Sequence, residues 1–322
     1  MSRFTRYAAT TQTLTLAAME EASRRGAREA DLEDLLLALV LSEQTAGTVF
    51  RELGITIRAA RAAVEQYQRE QIASLGITLE LPAAGNIVFH ETGGYEWSKR
   101  ASDLIRRAGD KAGTADAAAV LRELVSEPSG LIADLLPRLG TTSEEVLTAL
   151  NRSTPAPAPS TAGKTRRRGQ SGSAIESFIP APVDDVRTLL TDPARVPDWE
   201  PMISCVEDVA TGNGIWAAHV STTRPDGKPL KVDTRFRRRT LQLMPSGERA
   251  HISWRFAYPD APKSPPVTVT FDLAPTTGGT ELRATMTCTA RQGIRFLLRP
   301  LQRFLMWIRL SQITAAISRV YR

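Results

Sequence analysis

The chain has 322 residues, 42% of them apolar, and a formal net charge of +6, enough apolar material for two ordinary domains of about 150 residues each. The charge is uneven, −5 over residues 1–150, +5 over 151–173 and +6 over 174–322, and with no aromatic interleaving or recognition-helix pattern beside the basic residues no nucleic-acid partner is expected. Two cysteines, Cys205 and Cys288, cannot make a disulfide framework or a zinc site by themselves, and the three histidines do not sit at ligand spacing from them; with no run of eighteen apolar residues to span a membrane, a cytoplasmic protein without metal or cofactor is expected.

Thr5 reads as the cap of a first helix that carries Ala8, Leu14, Leu16 and Met19 and stops near Gly26. A second helix follows from Asp31, with Leu32, Leu35, Leu36 and Leu39 on one face. Gly54 separates two more, one carrying Val49, Phe50 and Leu53, the other Ile57, Ala60, Val64 and Tyr67. The pattern then returns: Leu121, Val125, Leu135, Leu136, Leu139 and Gly140 repeat Leu35, Leu39, Val49, Phe50, Leu53 and Gly54 at a constant offset of 86. Residues 76–95 between the copies hold Gly, Pro and Asn around Ile87-Val88-Phe89 and read as a loop with one short strand. The first half is therefore expected to be all-α, a doubled four-helix unit over residues 1–152.

Phe4-Thr5, the acidic helix start Glu33-Asp34 before Leu35-Leu36-Leu37-Ala38-Leu39, and the Leu53-Gly54 turn resemble the Clp N-terminal domain, the helical repeat that precedes the ATPase modules of Clp-type unfoldases. The resemblance covers residues 3–151. It implies docking of a protein partner or peptide, and it places Glu33 at the glutamate that helps some members recognise phosphoarginine. Asp34 stands where those members have histidine, and Ala119 and Val120 fill the two positions in the second copy, so at most one such site is implied. On the residues alone, Glu33 and Asp34 read as an acidic first turn complementing the helix dipole. No ATPase module is recognisable in the remainder, so unfoldase activity is not expected.

Residues 153–173 alternate Pro with Ser, Thr, Ala and Gly, contain Arg166-Arg167-Arg168 and hold no large apolar side chain, the composition of a disordered linker. The phosphate-loop pattern ending at Gly163-Lys164-Thr165 has prolines where a buried strand should feed it and is discounted. Beyond the linker, residues 174–179 read as a strand and Pro182 opens a helix. Period-two alternation follows: Val232, Thr234 and Phe236 opposite Lys231, Asp233 and Arg235; Ile252, Trp254, Phe256 and Tyr258; then Val267, Val269, Phe271 and Leu273. Turn signals lie at residues 224–227 and 277–280. A helix of more than twenty residues ends the chain, with Pro300 at a kink or first turn and Leu301, Phe304, Leu305 and Ile308 on one arc. An antiparallel sheet covered by one long helix is the helix-grip layout, an α+β domain over residues 174–322.

Ile179-Pro180-Ala181-Pro182, Asp192-Pro193, Trp199-Glu200-Pro201 and Gly279-Thr280 resemble the START/polyketide-cyclase (SRPBCC) superfamily. That resemblance implies a hydrophobic, lipid- or polyketide-like small-molecule partner, and in some members cyclase or other enzymatic chemistry. Val232, Phe236, Trp254, Phe256, Tyr258, Phe271, Met286, Phe304 and Ile308 are the candidate cavity residues, although close packing makes core filling the first reading of the innermost. Arg295 and Arg299 are the candidates to meet a ligand's anionic end, and Arg237, Arg238 and Arg239 read as a solvated basic face. An enzyme would need polar groups converging in that cavity. His219 and Asp233 are the candidates: His219 lies on a strand whose two faces are both apolar, Asp233 belongs to a charge ladder with Lys231 and Arg235, and His251 alternates with Ile252 and Trp254 and should face solvent. No catalytic residue is assigned, and the protein is read as a non-enzymatic adaptor joining peptide docking at Glu33 to small-molecule binding. Because the linker has no core and exposes three consecutive arginines, limited trypsin digestion should cut at residues 166–168 first and leave two resistant fragments, as seen by mass spectrometry.

Overall fold

Two separate apolar cores organise the chain. The computed structural model describes residues 3–76, 94–112, 116–153, 170–208, 214–223, 229–245, 250–289 and 299–322, and it divides into two units, Met1–Ala156 and Pro157–Arg322.

In the first unit the described residues form α1 (Arg3–Arg24), α2 (Leu32–Val40), α3 (Thr45–Glu52), α4 (Ile57–Ser74), α5 (Lys99–Ala112), α6 (Ala117–Val125), α7 (Leu131–Arg138) and α8 (Ser143–Arg152). The residues repeated at the 86 offset supply its core: Leu35, Leu39, Val49, Phe50, Leu121, Val125, Leu135 and Leu136 are buried. Gly54 and Gly140 take φ of 75° and 74°, letting Ile55 N–H reach the Phe50 carbonyl at 2.8 Å and Thr141 N–H reach that of Leu136 at 3.1 Å, so α3 and α7 end in the same left-handed cap. Residues 87–89, expected as a short strand, lie outside the described residues. What the pattern did not mark is a two-residue parallel pair, β1 (Glu29–Ala30) with β2 (Glu96–Trp97), which links the two copies.

The second unit begins with β3 (Gln170–Ile179), α9 (Val183–Thr191), α10 (Val196–Trp199), β4 (Ile203–Asp208) and β5 (Ile215–Val220). It continues with β6 (Arg238–Met244), β7 (His251–Ala257), β8 (Val267–Thr276), β9 (Gly279–Thr289) and α11 (Arg299–Val320). The described strands form one antiparallel sheet of seven, in the order β3-β9-β8-β7-β6-β5-β4. With the long C-terminal helix packed against it, this is a helix-grip arrangement. Gln170–Ser173, assigned by composition to the linker, pair with Met286–Thr289, because strand pairing satisfies the backbone whatever the side chains.

Two expectations are corrected. Residues 231–236 are not a strand: Thr234–Phe236 form a 3₁₀ turn whose cap, Asp233, accepts from the Arg235 N–H at 3.1 Å, so local side-chain bonding overrides the period-two pattern. The helix face is also different. Met306, Leu310, Ile313 and Ile317 are buried, whereas Phe304 and Leu305 are 53% and 57% exposed. The stripe that grips the sheet lies in the later turns of α11, from residue 306 onward, and Pro300 sits in its first turn.

Gly279 shows why the last strand opens with Gly-Thr. A Cβ there would lie 2.1 Å from the Ile179 carbonyl oxygen, and the neighbouring Thr280 hydroxyl donates to the Ala181 carbonyl at 2.7 Å. Gly279→Ala should therefore cost the C-terminal unit about 1–3 kcal/mol, read as a lower urea midpoint with an unchanged m value.

Candidate functional site

The inner face of the sheet is apolar for most of its width. Trp254, Phe256, Phe271 and Met286 are buried. Trp199 of α10 stands edge-on to Phe271 at 5.4 Å and tilted against Trp254 at 6.3 Å. The Trp254 indole N–H donates to the Leu190 carbonyl of α9 at 2.8 Å, which fixes its ring. These four expected cavity residues therefore pack against the protein's own side chains.

At one end the face changes character. β5 pairs Ala218 with Arg239 of β6. Arg239 alternates with Leu241 on the inward side, Leu241 being fully buried and Arg239 only 6% exposed, so Arg239 does not belong to the solvated basic face assigned to the 237–239 run. Arg237 and Arg238 are exposed, and Arg238 pairs with Asp260 at 2.6 Å. The Arg239 guanidinium lies 5.9 Å from the Tyr258 ring centroid, and Phe236 meets that ring edge-on at 5.4 Å. Phe236, Tyr258 and Ile308 are half-buried.

Glu200, at the end of α10, is fully buried and accepts from Arg309 Nη2 of α11 at 2.9 Å. Burial works against the Arg309 charge, but Glu200 and Tyr258 outweigh it and the guanidinium pKa stays above its ordinary value. Arg239 goes the other way: burial, reinforced by Arg309, lowers its pKa. Glu200, Arg239, Tyr258 and Arg309 thus meet at the edge of an apolar face.

The other expected site residues fall elsewhere. Val232 lies in the segment before the 3₁₀ turn, where its carbonyl accepts from Arg237, and Phe304 is exposed. Arg295 lies outside the described residues, as do the side chains of Arg299 and Leu301. His219 is partly exposed, 3.7 Å from Glu207, and His251 contacts Asp272 at 2.6 Å on the outer face. Asp233 pairs with Arg235, whose side chain and backbone N–H hold its pKa down to about 2. None of the three converges on the interior, so they form no catalytic constellation. No group of His, Cys, Asp or Glu among the described residues is arranged to hold a metal, and no described helix is long and apolar enough to cross a membrane. The sequence reading missed Glu200, Arg239 and Arg309. The alternation Arg239, Leu241, Leu243 and the apolar neighbours of Arg309 were the available signals.

In the first unit, Glu33 lines a cleft of about 180 Å³ with Val64, Tyr67, Gln68, Arg100 and Leu135. Its carboxylate is 3.6 Å from Arg25 and 3.9 Å from Arg100 and accepts from Gln68 at 3.4 Å. Asp34 is fully buried, bonded to Arg25 at 2.5 Å and to the Asp31 N–H at 3.0 Å. Burial pushes its pKa up to about 6 against the pull of Arg25. It closes the capping box of α2, which is more than an acidic first turn.

Residues 174–308 match the family described as polyketide cyclase / dehydrase and lipid transport, so the C-terminal unit is polyketide-cyclase-like and fits a domain that binds hydrophobic ligands. Among solved structures, protein Ms6760 from Mycobacterium smegmatis is 20% identical over 47% of this chain and 90% of its own, with a TM-score of 0.32. The Zhui aromatase/cyclase from Streptomyces sp. R1128 is 15% identical over 46% and 92%, with a TM-score of 0.34. Protein TTHA0849 from Thermus thermophilus is 20% identical over 46% and 96%, with a TM-score of 0.32. No curated protein matches the chain.

The buried ion pair sets an energetic expectation. Glu200→Ala leaves the Arg309 guanidinium without a carboxylate and should cost the C-terminal unit about 3–5 kcal/mol in urea denaturation, while adding Arg309→Met should restore most of it.

Proposed function

We propose that the protein is a non-enzymatic adaptor in which the C-terminal unit binds a lipid- or polyketide-like small molecule and the helical N-terminal unit docks a protein or peptide in the manner of Clp N-terminal domains. The observation that carries the ligand reading is the unfinished end of the sheet's inner face. There Phe236 and Tyr258 remain half-buried beside a fully packed core, and apolar surface of that kind, next to a few polar groups, suits a hydrophobic ligand. The family match over residues 174–308 supports it. The docking reading rests on the duplicated helices and on the Glu33 cleft, where Arg25 and Arg100 already occupy the carboxylate and an incoming cation would have to compete with them.

Native mass spectrometry of the full-length protein purified from its source organism tests the ligand reading. A non-covalent apolar small molecule, lost on organic extraction, is the expected result. Phe236→Ala and Tyr258→Ala should each weaken its rebinding roughly tenfold, the loss expected when some 60 Å² of apolar contact is removed at about 25 cal/mol per Å². A ligand-free protein that also shows no thermal shift with saturating fatty acids or aromatic polyketides would refute it.

A further inference from the structure

Arg239 is in an expensive position. It is 6% exposed, and neither its Nε nor its Nη1 has a hydrogen-bond partner among the described residues. A desolvated cation with open donors is rarely kept in a folded chain unless something completes it. The surroundings raise the cost. Arg309 adds a second positive charge nearby, and the one fully buried carboxylate among the described residues of this unit, Glu200, is held 2.9 Å from Arg309. Two guanidinium groups against one carboxylate leave a net charge of +1.

Arg239 has a small residue on one flank and aromatic rings on the other. Its partner across the β5–β6 ladder is Ala218, which contributes only a methyl group, while the Tyr258 ring stands on the other side with Phe236 behind it. An apolar chain lying against Phe236 and Tyr258 would bring its polar end to the unpartnered Arg239 donors.

We propose that Arg239 anchors the carboxylate of an amphiphilic ligand whose apolar body lies against Phe236 and Tyr258; this rests on the hydrophobic-ligand reading above. A monoanion brings the cluster to neutrality, a dianion reverses its sign, and a neutral ligand leaves the donors bare. A charge-assisted bond inside a desolvated site is strong enough to select among ligands with the same apolar body.

The test uses the full-length protein and its Arg239→Met variant with dodecanoate, dodecanol and acetate, followed by calorimetry and thermal melting. The wild type should bind dodecanoate at least about tenfold more tightly than dodecanol and show no shift with acetate. Arg239→Met should bind the two twelve-carbon ligands equally. Relieved of a buried charge, it should also melt at a higher temperature than the ligand-free wild type. Equal wild-type affinity for dodecanoate and dodecanol overturns the anchor and leaves the hydrophobic-ligand reading standing. Absence of binding by both overturns the two together. A shift with acetate alone identifies a free-anion site and overturns the amphiphile. Retention of the dodecanoate preference in Arg239→Met shows that Arg239 is not the anchor. If that variant does not fold, Arg239→Lys decides: a reduced preference supports the anchor and an unchanged one overturns it.

Discussion

The C-terminal unit depends on one buried ion pair. Glu200 and Arg309 are 109 residues apart in sequence and meet at 2.9 Å, with Glu200 wholly removed from water. Removing either charge would strand the other in a medium that solvates it poorly, so the pair fixes α10 against α11 by penalty more than by attraction. With α11 held there, Met306, Leu310, Ile313 and Ile317 are buried on the side that packs with the sheet. Trp199, one residue before Glu200, enters the aromatic cluster with Trp254 and Phe271. The same pairing leaves Arg239 without a carboxylate of its own, and in this way the fold's main constraint and its most unusual charge are linked.

Packing is uneven across the inner face of the sheet. The centre is filled by large rings whose polar atoms are partly satisfied internally, as with Trp254 and the Leu190 carbonyl, and a close-packed interior of this kind has no space for a guest. The end near Arg239 has a small residue on the neighbouring strand and rings that are only half-buried. Polar groups retained at such an edge lower stability, as functional sites commonly do.

In the N-terminal unit the charges are engaged with one another. Arg25 serves Glu33 and Asp34, Arg100 serves Asp31 and Glu33, and Asp31 also accepts from the Ser98 hydroxyl at 2.6 Å. The Arg100 and Ser98 contacts join the first copy of the repeat to the second, as β1 and β2 do. Glu33 is therefore part of a network that holds the two copies together as well as a wall of a cleft.

The sequence alone determined the duplicated helices, the breaks between helices at Gly54 and Gly140, the long C-terminal helix and most strands of the sheet, because these follow from periodicity, turn residues and burial of local apolar faces. It also marked the Gly279-Thr280 opening of the last strand, whose reason appears only when Ile179 is brought against it. Tertiary structure decided the rest. Asp233 turned an alternating stretch into a 3₁₀ turn, and the helix stripe fell on Met306 and Leu310 instead of Phe304 and Leu305. The 237–239 run was split, with Arg239 buried and its neighbours exposed. Alternation with Leu241 and the apolar neighbours of Arg309 are local signs of burial, but which buried charges meet was settled by contacts between elements up to 109 residues apart, which no pattern of neighbours in the chain encodes.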